Sequence, residues 1–411
     1  MDTQTRAERR LFYLCWAAYF SSYISKYTFS SATPAILLTR FAGRGALGLV
    51  GTAFFVAYGL GQLVNGALGD RLRPARMIGL GLFCSGALTV LMGAVRSLPA
   101  MAAVWFLNGC ALSLLWSPVI KIFSTAMRRE SALRAGVDIS TSIPAGSVLS
   151  YALAALLLAL SGWRAAFAGA GALVLLMAGA WAVLWPRLRT VPPPEPGEAA
   201  APRGAPPEAP SFRRLFSSCG LLPVSAAVMM NGILKDGVTL WVPSFISEYF
   251  GVGAVQSVLT TILLPVFNLG GVWAARRLQQ RLHDELRVSG ALFAAGLAAL
   301  AAMAALGRTS ALLSVPLLAV CTACALGINT MLVGVIPIRF RRFGRASTVT
   351  GWLNGCSYFA SAVASYGISV LSRKYGWTAT LIGWIGVSLA GALLCFAAAG
   401  SGRLRAADPE N

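Results

Sequence analysis

The sequence predicts an all-α membrane protein in which twelve transmembrane helices form two pseudo-symmetric halves of six helices each. Three observations favour this fold class: an apolar composition, many long apolar runs, and residues that repeat between the halves. The 411 residues are 57% apolar and 12% charged, and the mean hydropathy is +0.69. Average soluble proteins are roughly 45–50% apolar and 25% charged. The composition therefore excludes a disordered chain, a coiled coil and an ordinary soluble enzyme.

Twelve stretches are long and apolar enough to cross a bilayer, which takes about 20 mostly apolar residues in a helix. We predict spans at residues 11–33, 46–68, 76–95, 98–123, 135–160, 164–185, 216–247, 254–274, 288–306, 310–337, 347–371 and 375–400. The first stretch contains Lys26, is long for a signal peptide and lacks a convincing small-residue cleavage site. We therefore interpret it as the first transmembrane helix.

The segment between spans six and seven, residues 186–214, differs from the rest in composition. It holds eight prolines between residues 192 and 210, together with three glutamates. Proline cannot continue a helix, and the segment has little apolar surface to bury. We predict a mobile linker at 186–214 between an N-terminal half at 1–185 and a C-terminal half at 215–411.

The net charge of +20 is distributed unevenly between the two sides of the predicted membrane. On a soluble protein it would suggest nucleic acid as a partner, but here the basic residues lie between apolar runs. With the N-terminus in the cytoplasm, the inner segments hold 24 of the 34 Lys and Arg and the outer loops hold 7. This bias follows the positive-inside rule. It predicts a multi-pass protein of the inner membrane, with the lipid bilayer as partner and with both termini and the linker in the cytoplasm.

Residues at near-constant spacing link the two halves. Lys26-x7-Pro34 in span one matches Lys235-x7-Pro243 in span seven, Arg134-Ala135 matches Arg345-Ala346, and Gly162-Trp163 matches Gly376-Trp377. The offsets are 209, 211 and 214 residues. A duplicated six-helix unit about an axis normal to the membrane is the architecture of secondary transporters of the major facilitator type. In that architecture the substrate binds near mid-membrane, between the halves.

The loop between spans two and three supports the same architecture. Residues 66–76 are similar to the G-x-x-x-D-R-x-x-R/P-R loop of the major facilitator superfamily. We predict that Asp70 and Arg71 take part in a cytoplasmic gate, since a carboxylate can pair there with an arginine or a helix N-terminus. The alternative is a plain basic loop with one acid. The matching loop at 271–281 is degenerate.

Two lysines lie deep in spans, Lys26 in span one and Lys235 in span seven. A lysine at mid-bilayer costs about 2.5–3.5 kcal/mol, so such a residue faces a cavity or a partner. Two opposed ammonium groups repel and favour an anion between them, which predicts a site for a dianionic or phosphorylated substrate. The alternative is structural neutralisation, with Asp236 pairing to Lys235. We expect that pair to be poor, because adjacent helix residues point about 100° apart.

Further polar residues accompany the lysines. Tyr19 and Tyr23 share a helix face with Lys26, and Tyr58 and Tyr358 are phenols in otherwise apolar helices. Their hydroxyls can donate to phosphate or carboxylate oxygens; helix packing is the alternative. Asp236 is the candidate proton carrier. The single histidine falls in a charged loop, so a histidine relay is not expected.

The residues suggest neither an enzyme nor a cofactor protein. No catalytic constellation stands out, and Cys321-x2-Cys324 has apolar flanks without a second ligand pair. We therefore expect no metal and no cofactor, and nothing in the sequence demands more than a monomer.

Five motifs, taken in their order along the chain, resemble the organophosphate:phosphate antiporters. Within that family the resemblance is to the bacterial glycerol-3-phosphate and hexose-phosphate transporters. These motifs are Tyr19-x3-Tyr23-x2-Lys26-x7-Pro34, Ala57-Tyr58-Gly59, Asp70-Arg71-x2-Pro74, Trp116-x-Pro118 and Lys235-x-Gly237-x3-Trp241-x-Pro243. In that family one arginine in helix one and one in helix seven grip the phosphate. The resemblance places Lys26 and Lys235 at those positions. It places Tyr19, Tyr23, Tyr58 and Tyr358 on site tyrosines and Ser142 on a site histidine.

The lysines depart from that pattern, because lysine offers a compact point charge where arginine offers a planar fork. The resemblance therefore implies an organic anion carrier, with sugar phosphates, inorganic phosphate, carboxylates and sugar acids all open as substrates. It also implies exchange. Two fixed lysines that must be neutralised before the halves close would make exchange obligatory. The alternatives are a proton-coupled carboxylate or sugar-acid symporter and a membrane sensor of sugar phosphate. A cation or drug exporter would need acidic residues in the cavity.

Overall fold

The helices of this computed structural model run along the chain in the predicted order. The structure describes residues 3–68, 72–188, 220–306, 311–340 and 346–401, and within these ranges it contains helices and no strands. The first half consists of α1 (Thr3–Leu38), α2 (Arg44–Leu68), α3 (Pro74–Ala94), α4 (Leu98–Ser113 and Trp116–Ala126), α5 (Arg129–Asp138, the 3-10 turn Ile139–Thr141 and Ser142–Ser161) and α6 (Trp163–Leu188).

The second half repeats this arrangement. It consists of α7 (Leu221–Gly232, the π-helical turn Ile233–Val238 and Thr239–Phe250), α8 (Ala254–Thr261 and Leu263–Leu282), α9 (Glu285–Leu306), α10 (Ala311–Asn329, the π-helical turn Thr330–Val335 and Ile336–Arg339), α11 (346–375) and α12 (377–400). The predicted linker falls almost wholly outside the described residues, which resume at 220.

Ten helical stretches within the described residues are long and apolar enough to span a membrane. The last of them, Val349–Gly400, is 52 residues long and contains both α11 and α12, which meet at Gly376. α1 is the remaining helix, and it falls outside the ten because seven Ser and Thr and one Lys lie between residues 21 and 33. With these two counted, the twelve predicted helices are confirmed.

The Gly-Trp repeat has a backbone reason. Gly162 joins α5 to α6 and Gly376 joins α11 to α12, and both have φ of 82°. Residues with a Cβ rarely adopt that φ, whereas glycine adopts it freely. The following residues, Trp163 and Trp377, are both buried at the start of the next helix. The same tight junction therefore recurs at equivalent points of the two halves.

α1 can lie inside the bundle because most of its hydroxyls between residues 21 and 33 are bonded to its own backbone. Thr28 donates to the carbonyl of Ile24 at 2.7 Å, and Thr33 donates to that of Phe29 at 2.7 Å. Ser22 does the same with Tyr19 at 2.6 Å. Polar groups that are satisfied within the helix add little cost in an apolar surrounding. α1 packs against α5 and α6 of its own half and against α7 of the other.

The two halves pack against each other through α1–α7, α2–α11 and α5–α8. We call the end of the bundle that carries Leu188 and Leu221 the linker end, and the opposite end, which carries Leu38 and Arg44, the distal end. Hydroxyl groups form hydrogen bonds between the halves on the distal side. Ser30 of α1 donates to the α7 carbonyl of Leu240 at 2.8 Å, and Thr52 of α2 donates to the α11 carbonyl of Ala362 at 2.8 Å.

A charged cluster also joins the halves at the distal end. Arg44 of α2 forms an ion pair with Glu248 of α7 and donates to Ser372 at 3.3 Å. The indole of Trp377 donates to Glu248 at 2.9 Å, and the Arg44 guanidinium lies 5.2 Å from the centre of a Trp377 ring. Arg44 is one of the seven basic residues in the predicted outer loops, and its pairing with Glu248 was not predicted from the sequence. The cluster holds the distal ends of the halves together.

Close helix contacts depend on glycine where backbones meet. In α8, a Cβ at Gly271 would overlap the carbonyl of Ala323 in α10, whereas a Cβ at the neighbouring Gly270 would meet nothing within 4 Å. The two glycines are adjacent, yet one faces a helix and the other faces outward. Substituting each glycine in turn therefore separates the effect of helix packing on stability from the effect of losing a glycine.

We predict that Gly271→Ala lowers the apparent free energy of unfolding by about 1–3 kcal/mol, because α8 must move away from α10. Gly270→Ala is the matched control and should have no cost or a small gain from better helix propensity. Thermal unfolding of the purified variants in detergent checks both. Equal midpoints for the two variants would contradict the close α8–α10 contact.

Candidate functional site

Three charged side chains meet between the halves in the middle of the bundle. Lys26 of α1 donates from Nζ to Oδ1 of Asp236 at 3.0 Å, and Lys235 forms an ion pair with Oδ2 of the same carboxylate. Each carboxylate oxygen therefore holds one ammonium group. The exposed fractions of the side chains are 9% for Lys26, 18% for Lys235 and 3% for Asp236. We call these three residues the lysine–aspartate cluster.

The expectation that Lys235 and Asp236 pair poorly was wrong. It assumed a regular α-helix, but residues Ile233–Val238 form a π-helical turn. A π turn is wider than an α turn and changes where successive side chains point, and such turns are frequent at functional sites. The long flexible Lys235 side chain then reaches around to its neighbour. The sequence carries no pattern from which this turn could be read.

We predicted that the two lysines hold an anion between them. The contacts of Asp236 bear on this prediction. The repeat does bring Lys26 and Lys235 together across the halves, and an anionic group lies between them. That group belongs to the protein, since it is the Asp236 carboxylate. With all three groups ionised the cluster carries one positive charge.

Aromatic rings surround the ammonium groups. Nζ of Lys26 lies within 6 Å of four ring centres: Tyr358 at 5.1 Å, Tyr58 at 5.5 Å, Tyr23 at 5.6 Å and Phe55 at 5.8 Å. Nζ of Lys235 lies 5.2 Å from the ring centre of Tyr358, which both lysines therefore share. Ring faces attract cations, and the attraction grows when water is excluded. The rings stabilise the charge that Asp236 leaves uncompensated.

Three of the predicted tyrosines thus belong to the immediate surroundings of the cluster, and Phe55 is an additional member. Phe55 lies one helical turn from Tyr58 on α2, and both rings contact Tyr358, with centres 6.4 Å and 4.5 Å away. The three-residue spacing of Phe55 and Tyr58 was visible in the sequence. It carried no signal of its own because phenylalanine is common in any membrane helix.

Tyr19 lies on α1 one turn before Tyr23. Its hydroxyl is 3.4 Å from that of Tyr23, and its ring centre is 5.0 Å from that of Trp116 on α4. Lys26 comes after Tyr23 in the chain, so Tyr19 extends the aromatic surface from the cluster toward the linker end.

Ser142 lies apart from the lysine–aspartate cluster. Its hydroxyl donates to the carbonyl of Ile139 at 2.5 Å, and the residue is fully buried at the start of the main part of α5. Gly146, one turn on, is the residue of α5 that packs against Tyr23. Ser142 therefore lies one turn closer to the linker end, at the level of Tyr19. The predicted gate residues Asp70 and Arg71 lie outside the described residues, so that role stays a prediction.

One small cavity adjoins Lys26 and Asp236. Its volume is about 20 Å³, and its lining also includes Tyr27, Ser30 and Phe55. This volume is enough for about one water molecule, whereas small-molecule pockets are about 300–1,000 Å³. This cavity, which lies on the distal side of Lys26 toward Ser30, is therefore too small for an organic anion.

Known proteins are similar to this chain along its length. A family model described as the Major Facilitator Superfamily matches residues 15–365. The chain is 24% identical over 394 residues to a probable hexose phosphate transport protein of Chlamydia pneumoniae, covering 90% of this chain and 86% of that protein. It is 34% identical over 109 residues to the membrane sensor protein UhpC of Escherichia coli strain K12, covering 26% of this chain and 25% of the sensor.

Solved structures share the fold. A bacterial homologue of the human lysosomal transporter Spinster, in an inward-facing and unoccupied conformation, superposes with a TM-score of 0.74 and 16% identity. The superposition covers 98% of this chain and 97% of that one. Together with the relatives, it confirms the fold class and the resemblance that the sequence motifs indicated.

We predict that replacing the shared ring, Tyr358→Leu, lowers the apparent free energy of unfolding by about 1–3 kcal/mol, since both ammonium groups lose a ring face. Tyr358→Phe keeps the ring and should cost less. Tyr366→Leu on the same helix, with 43% of the residue exposed, is the matched control. Chemical denaturation in detergent measures the three variants. No loss in Tyr358→Leu would mean that the ring faces do not stabilise the lysines.

Proposed function

The chain belongs to the Major Facilitator Superfamily, and from that membership we propose that it moves a small organic anion across the membrane by alternating access. Members of this superfamily carry substrates between two halves that rock around a site near mid-membrane. The work is binding and reorientation, without a covalent step. The proposal therefore concerns which molecule the central site holds and how it is released.

One observation carries the proposal: a lysine from each half binds the same carboxylate in the middle of the bundle. Two ammonium groups that bind the two oxygens of one carboxylate suit any group that offers two anionic oxygens, such as a carboxylate or a phosphoryl group. Because the lysines belong to different halves, an anion held between them links its binding to the relative position of the halves. This is the coupling that alternating access requires.

We infer a phosphorylated metabolite as the substrate class. Two indications from the sequence support it: the motif resemblance to organophosphate carriers and the whole-chain similarity to a protein described as a probable hexose phosphate transport protein. In this proposal Lys26 and Lys235 hold the anionic group. Tyr23, Tyr58 and Tyr358 offer phenol donors around it, and Tyr19 and Ser142 meet the rest of the molecule.

The state of the molecule fits one step of such a cycle. The halves are joined at the distal end by Arg44 and Glu248. If the termini and linker are cytoplasmic, as the distribution of basic residues predicts, the distal end faces outward and is closed here. Asp70 and Arg71 would then act at the opposite end when the carrier opens outward.

Two other functions have support of their own. The buried Asp236 favours a proton-coupled carboxylate or sugar-acid symporter, because a membrane-embedded carboxylate is a natural proton carrier. The similarity to UhpC favours a sensor that binds sugar phosphate without carrying it. Flux separates these: a symporter responds to a proton gradient, and a sensor binds the anion without flux. Exchange of anions, the mode that the sequence predicts, stays a prediction.

We predict that proteoliposomes containing the protein take up labelled inorganic phosphate in exchange for internal phosphate, with sugar phosphates as competitors. Lys26→Ala and Lys235→Ala should each reduce this exchange more than about tenfold, because truncating one partner of a buried charge pair costs about 2–5 kcal/mol. The exposed Lys374→Ala is the matched control and should exchange normally.

The outcomes distinguish the candidates. Normal exchange in either folded alanine variant would show that the lysines do not hold the anion. If the wild type carries carboxylates or sugar acids and not phosphate, the proposed anion site is retained, but the proposed substrate class is wrong. Binding without any flux would indicate the sensor.

A further inference from the structure

We propose that Asp236 is a built-in occupant of the anion site: it fills the site when substrate is absent, is displaced from Lys26 by substrate, and lets the empty carrier change state. This inference rests on the proposed function and concerns the regulation of the same site. Its consequence is that anion exchange is possible but not obligatory.

The connectivity of the cluster gives the first argument. Asp236 and Lys235 are neighbours in one π-helical turn of α7, whereas Lys26 belongs to α1 in the other half. Among the three charged residues, the ion pair that crosses the halves is therefore Lys26 to Asp236, at 3.0 Å. An anionic substrate held by both lysines would bridge the same two helices. Asp236 thus makes the link that a substrate would make.

The electrostatics give the second argument. Without a carboxylate, the site would hold two largely buried ammonium groups close together, and such a state is strongly disfavoured. That cost is the reason to expect an exchanger, whose empty form cannot switch. Asp236 removes one of the two charges, and the rings of Tyr23, Tyr58 and Tyr358 face what remains. The three side chains can therefore stay together without a bound anion.

The available space gives the third argument. The cavity of about 20 Å³ that adjoins Lys26 and Asp236 cannot hold an organic anion. An anion that binds Lys26 therefore competes with Asp236 for the same ammonium group. Asp236 keeps Lys235, which is its neighbour in the chain. Binding is then an exchange of one anionic ligand for another on Lys26, and Asp236 competes with every substrate.

A purely structural Asp236 would behave differently. If the carboxylate only neutralised the lysines for folding, its loss would lower the amount of folded protein and reduce every kind of transport alike. A built-in occupant predicts a split: net transport needs the empty carrier to return, whereas exchange does not. The ratio of net transport to exchange is therefore the diagnostic quantity.

The experiment uses proteoliposomes loaded with labelled phosphate, with the membrane potential clamped by potassium and valinomycin. Net transport is efflux into a chloride buffer without phosphate or organic acids, and exchange is efflux into the same buffer with phosphate. We expect the wild type to show both. Asp236→Asn should lower net efflux at least about tenfold relative to exchange, because the empty site then holds two unpaired charges. Phosphate should also bind this variant more tightly, since its competitor is gone.

Two further variants control the result. Asp236→Glu retains a carboxylate and should retain net efflux, and Asp138→Asn makes the same chemical change at an exposed position of α5 and should match the wild type. An unchanged ratio in Asp236→Asn would overturn the inference. If that variant does not fold, the wild type decides alone: exchange without net efflux would overturn the inference, and net efflux would support it.

The failure of this inference differs from failure of the proposed function. Wild-type exchange without net efflux contradicts only the role of Asp236. A folded wild type that carries no anion in either assay contradicts the proposed function and, with it, everything that rests on it.

Discussion

A carboxylate between two ammonium groups, far from either end of the helices, is the interaction on which the centre of this molecule depends. Neither lysine would be tolerable alone at this depth, because a charge within a membrane helix needs a partner or a cavity. Asp236 supplies the partner for both, and it does so across the boundary between the halves. The remaining positive charge explains why ring faces converge here, with Tyr358 shared by both lysines. A charge left over in the resting site is also what an incoming anion would be attracted to.

The rest of the fold positions these three side chains. The π-helical turn of α7 brings Lys235 and Asp236 onto one contact. α1 presents Lys26 and remains buried because most of its hydroxyls bond to its own carbonyls. At the distal end, Arg44 and Glu248 hold the halves together beyond the site. The halves are therefore joined at two levels: by the Arg44–Glu248 pair at the distal end, and by the contact of Lys26 with Asp236 at the site. Opening the site toward the distal end requires that both contacts break.

Much of this arrangement could be predicted from the sequence, and the exceptions share a cause. Helix number follows from lengths of apolar runs, and the facing of Lys26 and Lys235 follows from the repeat, because both are properties of the chain order. The junction glycines Gly162 and Gly376 were visible as a repeat, and their common φ of 82° gives the reason. The Lys235–Asp236 pair was judged wrongly because a π turn has no sequence signature. Phe55 and the Arg44–Glu248 pair depend on which helices meet, and single residues do not carry that information.

The central claim is that Lys26 and Asp236 interact across the halves when no substrate is bound, and a double-mutant cycle tests it most directly. The cycle compares the apparent free energy of unfolding of the wild type, Lys26→Met, Asp236→Asn and the double variant, all in substrate-free detergent solution. Our account predicts that the double variant is less destabilised than the sum of the single variants, by about 1 kcal/mol or more, as expected of residues in direct contact. Additive effects, within about 0.3–0.5 kcal/mol, would contradict it.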